Sequence, residues 1–239
     1  MKRRDDRRDF LRAAAAAAAG LAFAALPYAT RAQAKLKLGF VGSGRIGGTL
    51  GSLWYKAGHE VMFSSLDIEH DKSLAAGLGA RARAGSTREA VAFGDVVVVA
   101  VPYSALPSVG KQIADLIKGK VVIDTCNPIV ARDGEIAVWA RGKGAGLASA
   151  ELLPGARLVR AFNAIGYARL ADAGARNIGM PIAGDDAEAL DTASGLVREL
   201  GFEPVVAGGL AMGKYLMPGT PLAGEHTADQ IREIVKTLE

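Results

Sequence analysis

Beyond residue 35 the chain alternates short apolar runs with stretches whose apolar positions recur every three or four residues, the pattern of strands joined by helices. Residues 36–41 predict a first strand, and 45–57 a helix closed by Gly58. Residues 60–63 read as a second strand, followed by a helix containing 72–76 and a weak strand near 80–84. A short helix over 87–93 leads into the most apolar strand, 96–101, which Pro102 stops. A helix over 105–117 and a strand over 121–124 come next, then the loop Thr125-Cys126-Asn127-Pro128. Residues 132–146, rich in glycine and charge, are expected to form an exposed excursion. Strands are predicted at 157–162, 177–183 and 203–206, the last two around a helix over 187–200, with a closing helix in 225–238. Strands separated by helices favour parallel pairing with both sheet faces covered. The expected fold is therefore α/β, a doubly wound, mainly parallel sheet with a C-terminal extension, without internal repeats or long linkers.

Composition sharpens this picture. Half of the 239 residues are hydrophobic but only 6% are aromatic, and there are 30 glycines, so the core must be aliphatic and the turns tight. The net charge of +4 sits in the first 34 residues, which hold seven basic and three acidic side chains and leave 22 of each sign beyond. A neutral domain carries no electrostatic footprint for nucleic acid, and that class is set aside. With a single cysteine, Cys126, no intramolecular disulfide can form.

The start of the chain has the three parts of an export signal: a charged stretch ending in Arg7-Arg8-Asp9-Phe10-Leu11-Arg12, an apolar run over 13–26, and the small-residue site Ala32-Gln33-Ala34. The paired arginines resemble the twin-arginine signal, which implies the twin-arginine export machinery as a partner and a periplasmic destination. The expected organisation is a signal in 1–34 and one folded domain in 35–239, the mature chain beginning at Lys35. The alternative is an uncleaved anchoring helix. The fourteen-residue run falls short of the ~20 needed to span a bilayer, and no other segment is long and apolar enough.

The chemistry concentrates in Gly42-Ser43-Gly44-Arg45-Ile46-Gly47, a G-x-G-x-x-G that follows a predicted strand and opens a predicted helix. In the dinucleotide-binding Rossmann unit the first glycine makes the turn, the second lets the backbone approach a pyrophosphate, and the third lets helix and strand pack closely. The helix N-terminus then supplies free N–H groups and a positive dipole. Residues near the end of the second strand select the dinucleotide, an acidic group for the ribose of NAD, and donors or cations for the 2′-phosphate of NADP. Here that segment is Ser64-Ser65-Leu66-Asp67. Two hydroxyls favour NADP, with NAD the alternative, and Arg45 or Lys72 are candidate cations.

These segments, with Gly58-His59-Glu60-Val61, the run 95–102, Asp124-Thr125-Cys126-Asn127-Pro128, the segment 153–163, Gly201-Phe202-Glu203-Pro204 and Ala207-Gly208-Gly209-Leu210, resemble the coenzyme F420-dependent NADP oxidoreductases over nearly everything after Lys35. The resemblance implies hydride transfer between a nicotinamide and a deazaflavin F420, flavin-like or other small acceptor. It also implies that residues 42–47 with Ser64 and Ser65 hold the nucleotide, while Val101, Pro102, Ala161, Phe162 and Asn163 lie beside the nicotinamide. The family usually carries Ser-Arg after the second strand; this chain has Leu66 in place of the arginine, which removes a bidentate donor to the 2′-phosphate.

Hydride transfer needs alignment and exclusion of water more than a proton donor, and the sequence names no catalytic acid or base. Asp124 ends a strand at the edge where ligands bind in open sheets, or forms the turn there. His59 is expected to be structural, Cys126 a small buried hydrophobe, and His70 and His226 lack partners at metal-ligand spacing. The expectation is an exported NAD(P)-dependent oxidoreductase acting on a small molecule, compatible with a homo-oligomer. The alternative is a non-catalytic dinucleotide-binding module or partner subunit.

Overall fold

The computed structural model describes residues 35–171 and 177–238. The expected export signal lies outside the described residues. One sheet of eight strands forms the centre, in the order β3-β2-β1-β4-β5-β6-β7-β8. Its members are β1 (Lys37–Val41), β2 (Glu60–Ser64), β3 (Ala82–Ala84), β4 (Val96–Val99), β5 (Val121–Asp124), β6 (Arg157–Arg160), β7 (Gly179–Gly184) and β8 (Glu203–Gly208). Every pairing is parallel except β6 with β7. The chain therefore runs outward from β1 in one direction to β3, returns, and runs outward in the other from β4. Beyond the carboxyl ends of β1 and β4 lies the switch point where such sheets bind ligands.

Successive residues of the central strands feed opposite layers, as the two-residue period requires. Val96 and Val98 join Leu50, Trp54 and Phe162 under helix α1 (Arg45–Lys56), whereas Val97 and Val99 join Ile113 and Ala148 on the other face. Burial on both faces is why these strands read as unbroken apolar runs rather than alternating ones. A third cluster, including Val205, Leu222 and Ile231, binds the C-terminal segment to β8.

The expected excursion at 132–146 is instead three short helices, α5 (Val130–Asp133), α6 (Glu135–Lys143) and α7 (Ala145–Leu152), after α2 (Ile68–Leu78), α3 (Thr87–Phe93) and α4 (Leu106–Ile113). Ala137, Ala140, Ala145 and Ala148 are fully buried, so small side chains at helical spacing make the packing face that larger apolar residues usually mark. The glycines sit at the joints. Gly134 (φ 63°) and Gly144 (φ 92°) turn the chain between helices in a region that side-chain-bearing residues rarely enter.

Two further departures are shifts of boundary. The most apolar strand ends at Val99 rather than Val101, and the following helix stops at Ile113. The first leaves Ala100 and Val101 beyond the carboxyl edge of the sheet, where they border the cavity described below.

Candidate functional site

β1 delivers the chain to Gly42, whose φ of 95° makes the turn and whose N–H donates to the Ser64 carbonyl oxygen at 2.8 Å. The three glycines divide the work as their spacing predicts. A Cβ on Gly47 would lie 1.9 Å from the Gly42 carbonyl oxygen, so helix and loop touch only because that atom is missing. A Cβ on Gly44 would meet nothing within 4 Å, because this glycine faces open space. Gly44 is also the N-cap of α1, with no side-chain cap bond and no acidic residue in the first turn. The first N–H groups of this helix are thus left for a ligand, with the dipole favouring an anion.

Beside this cradle opens a cavity of about 840 Å³ at the switch point. Gly44, Arg45 and Ile46 form its near wall, Ala100, Val101 and Pro102 its floor, and residues 125–127 with 162–167 its far wall. Pro218, Gly219, Ala223 and Gly224 close it from the C-terminal segment. Arg45 lies with its guanidinium over the Tyr167 ring, 5.2 Å from the centroid, so a cation bridges the near and far walls.

The far wall is held from below by a buried ion pair. Asp124 and Arg160 are both fully buried, with Arg160 Nη1 donating to Asp124 Oδ2 at 2.5 Å. Arg160 Nη2 donates to the Cys126 carbonyl oxygen at 3.1 Å, and Asp124 Oδ1 accepts from the Cys126 N–H at 2.7 Å. Asp124 therefore does form the turn, and Arg160, which sequence reasoning did not single out, fixes the loop that follows. Its signal was a charged residue inside the apolar run 158–162, a position that requires a buried partner. Asn127 Nδ2 then donates to the Asn163 carbonyl oxygen at 2.9 Å, tying the β5 and β6 loops together.

Asn163 is 1% exposed and borders the cavity, and its Oδ1 has no hydrogen-bond partner. A buried acceptor without a donor is a costly vacancy in a folded protein, and it points to a ligand N–H or O–H. Next to it, Phe162 adopts φ 64°, a left-handed conformation uncommon for a bulky residue. Its ring packs edge-on against Trp54 and Phe202, at centroid distances of 5.6 and 6.2 Å, and this anchorage holds the backbone turn at the cavity wall.

The expected binding residues do not all face the cavity. Gly44, Arg45, Ile46, Val101, Pro102, Phe162 and Asn163 border it. Ala161 is fully buried beneath it. Ser64 is a correction. β2 runs one residue further than predicted, and the Ser64 hydroxyl is fully buried and donates to the Phe40 carbonyl oxygen at 2.7 Å, so it is not offered to a phosphate. Ser43 and Ser65 instead converge on Asp71, which sequence reasoning missed. Lys72, a candidate cation, pairs with Glu69 at 2.8 Å on the exposed face of α2.

Burial first, and the neighbouring Asp124 second, push the Cys126 thiol well above its ordinary value, so at neutral pH it is a neutral, unreactive group. Burial likewise raises Tyr103, whose hydroxyl lies 3.1 Å from Ser149 Oγ on the underside of the ion pair. His59 accepts the Leu36 N–H at 3.0 Å and meets Glu199, a clasp between the residue before β1 and helix α8 (Ala187–Glu199), remote from the cavity lining. His70 reaches the Ser43 carbonyl oxygen at 3.4 Å and His226 that of Ala223 at 3.1 Å. Among the described residues no cluster of three histidine, cysteine or acidic side chains is placed to hold a metal ion, and no helix is long and apolar enough to cross a membrane.

Residues 37–128 match the profile of the family described as NADP oxidoreductase, coenzyme F420-dependent. The F420-dependent NADP reductase of Methanothermobacter marburgensis is 32% identical over 181 residues, covering 70% of this chain and 80% of that protein. The rat metalloreductase STEAP3 is 33% identical over 180 residues, 73% of this chain; the chain spans only 34% of the length of that protein. Among solved structures, a hypothetical protein from Sinorhizobium meliloti is 27% identical, superposes with a TM-score of 0.67, and is matched over 81% of this chain and 95% of its own.

Proposed function

Since the chain belongs to the family of coenzyme F420-dependent NADP oxidoreductases, we propose that it transfers a hydride between a nicotinamide dinucleotide, held across the glycine loop, and a flat acceptor of the deazaflavin or flavin class in the adjoining cavity. The observation that carries this reading is the open, uncapped cradle at Gly44 opening into a cavity that contains an unpartnered acceptor, Asn163 Oδ1. Those features fit a dinucleotide at both ends, with phosphates at the N-terminus of α1 and a carboxamide N–H donor at Asn163. When bound, the nicotinamide supplies the hydride chemistry.

The chain's own residues bind, orient and exclude water. The first-turn N–H groups of α1 hold the phosphates. Val101 and Pro102 give an apolar floor for a ring, and the loops fixed by Asp124 and Arg160 set the far wall at a defined distance. Ile129 and Arg132 lie at the cavity edge, with the Arg132 guanidinium held by Asp133 at 2.8 Å. Cys126, on the far wall, is held neutral by burial and presents no thiolate to the cavity.

The paired arginines and the Ala32-Gln33-Ala34 site support an exported, periplasmic protein that meets its cofactor before crossing the membrane through the twin-arginine route. The test is direct. Purified protein is mixed with NADPH or NADH and then with a deazaflavin, a flavin or no acceptor, and absorbance at the reduced nicotinamide band is followed. Acceptor-dependent loss of that band is expected. Tight dinucleotide binding without turnover of either acceptor would replace the enzyme by a non-catalytic binding module.

A further inference from the structure

Two serine hydroxyls and one buried carboxylate meet where the glycine loop approaches the end of β2. Asp71, in the first turn of α2, is fully buried, an acid on the same face as Ala75, Leu74 and Leu78 that packs toward the core. Ser43 Oγ, from the glycine loop, donates to Asp71 Oδ1. Ser65 Oγ, from the first residue after β2, lies 3.0 Å from both Asp71 oxygens. Ser65, half-buried at the end of β2, stands where a Rossmann site receives the adenosine ribose, while Ser43 is 2% exposed and braces Asp71.

A serine hydroxyl has one proton to give. Ser65 Oγ has acceptors at Asp71, 3.0 Å away, and at the Asp67 carbonyl oxygen, 3.1 Å away, and it accepts the Asp67 N–H at 3.1 Å, so it keeps a lone pair and no free proton. A ribose hydroxyl can donate to such an oxygen. A phosphate cannot, because it is an acceptor only, and it also faces the carboxylate behind the serines. The nearby cations are engaged elsewhere: Arg45 over Tyr167 at 5.2 Å and Lys72 on Glu69 at 2.8 Å. His70 Nε2 is turned to the Ser43 carbonyl oxygen. Leu66, at the position between Ser65 and Asp67, is fully exposed and offers no charge.

We propose that Asp71, braced by Ser43 and acting through Ser65, makes this site select a free ribose 2′-hydroxyl, so that the chain binds NAD(H) in preference to its 2′-phosphorylated form. The inference rests on the dinucleotide reading above and reverses the preference that a free serine would give. Asp71 is a positioning residue: it acts on the ligand by fixing which way the Ser65 hydroxyl proton points.

Calorimetric titration of the purified full chain with NADH and NADPH tests it. Wild type should bind NADH at least ten times more tightly than NADPH. Asp71→Asn keeps the shape, removes the charge, and gives Ser65 an N–H donor that frees its own proton. It should tighten NADPH by about tenfold or more and bring the ratio near one, with a thermal melt confirming the fold. Leu66→Arg, at an exposed position that cannot disturb packing, provides an independent arm. It should tighten NADPH by about tenfold while leaving NADH unchanged, and by more when combined with Asp71→Asn. A wild type that prefers NADPH, or a folded Asp71→Asn with an unaltered ratio, overturns this inference while leaving the dinucleotide site standing. Failure of both nucleotides to bind wild type overturns the site itself.

Discussion

The two walls of the cavity are made from different materials. On the glycine-loop side the groups facing a ligand are backbone N–H groups, positioned by the absence of side chains at Gly42, Gly44 and Gly47. On the far side the wall is a pair of loops held from beneath by Asp124, Arg160 and Asn127, all side-chain work. The near wall is fixed by steric exclusion and is sensitive to added atoms. The far wall depends on buried charge and is sensitive to atoms removed. Binding a common moiety such as a pyrophosphate suits the first device, whereas setting the position of a particular ring suits the second.

The largest effects should come from breaking the far wall. Arg160→Met leaves the Asp124 carboxylate buried without its cation, and such a loss typically costs about 3–5 kcal/mol. Urea denaturation should record it, and the double variant Asp124→Asn with Arg160→Met should lose less than the sum of the two singles. Singles as stable as wild type would mean that the pair does not hold the wall. Gly44→Val attacks the near wall without touching stability, since its side chain enters open space. Dinucleotide affinity should fall by about a hundredfold, about 2.8 kcal/mol, at an unchanged melting temperature. The same change at Gly47 should instead unfold the domain, since a Cβ there would lie 1.9 Å from the Gly42 carbonyl oxygen.

A smaller effect is expected at the orphan acceptor. Asn163→Leu removes an unpaired buried oxygen together with a long, 3.4 Å bond from Nδ2 to the Cys126 carbonyl oxygen, so stability should change little while dinucleotide affinity drops by about tenfold. Loss of stability with unchanged affinity would show that this oxygen serves the fold and not a ligand. The smallest effect concerns acid. Burial pushes the Asp133 carboxyl up, but Arg132 and the Ile129 and Ser104 N–H groups outweigh it and hold it at about 2. A carboxylate lowered in this way contributes stability above its ordinary value of 3.8, lost as pH falls toward 2. Asp133→Asn should therefore flatten the decline in melting temperature between roughly pH 4 and pH 2, compared with wild type.

The near wall was legible in the sequence because its constraints are local: a turn, a close approach and a helix start lie within six residues, and spacing reports them. The strands were legible for the same reason, as apolar runs between turn residues. Ser64 was not. Where a sheet is covered on both faces, alternate residues have no polar side to point to, so a hydroxyl one position further into β2 becomes internal. Arg160 announced itself as a charge within an apolar run, but its partner belongs to another strand, and pairing across a sheet leaves no mark in spacing. Helices α5–α7 were hidden because alanine is small enough to pack and too weakly apolar to draw a stripe. Asp71 looked like any surface acid of an amphipathic helix; only its burial separates it.

The roof of the cavity has a consequence for how a ligand acts on the fold. Gly224 N–H donates to the Ala164 carbonyl oxygen at 2.9 Å, and Leu222 is fully buried, so this roof is supplied by a segment far along the chain from the glycine loop. The phosphate cradle, in contrast, needs only β1, α1, β2 and β4. The cradle can thus exist while the chamber is open, and a molecule gripped by both favours the closed arrangement. Ligand held at a hundred times its dissociation constant adds about 2.7 kcal/mol to the closed state and nothing to a state that cannot bind it. Occupancy then acts as a clasp between parts of the fold that lie far apart along the chain.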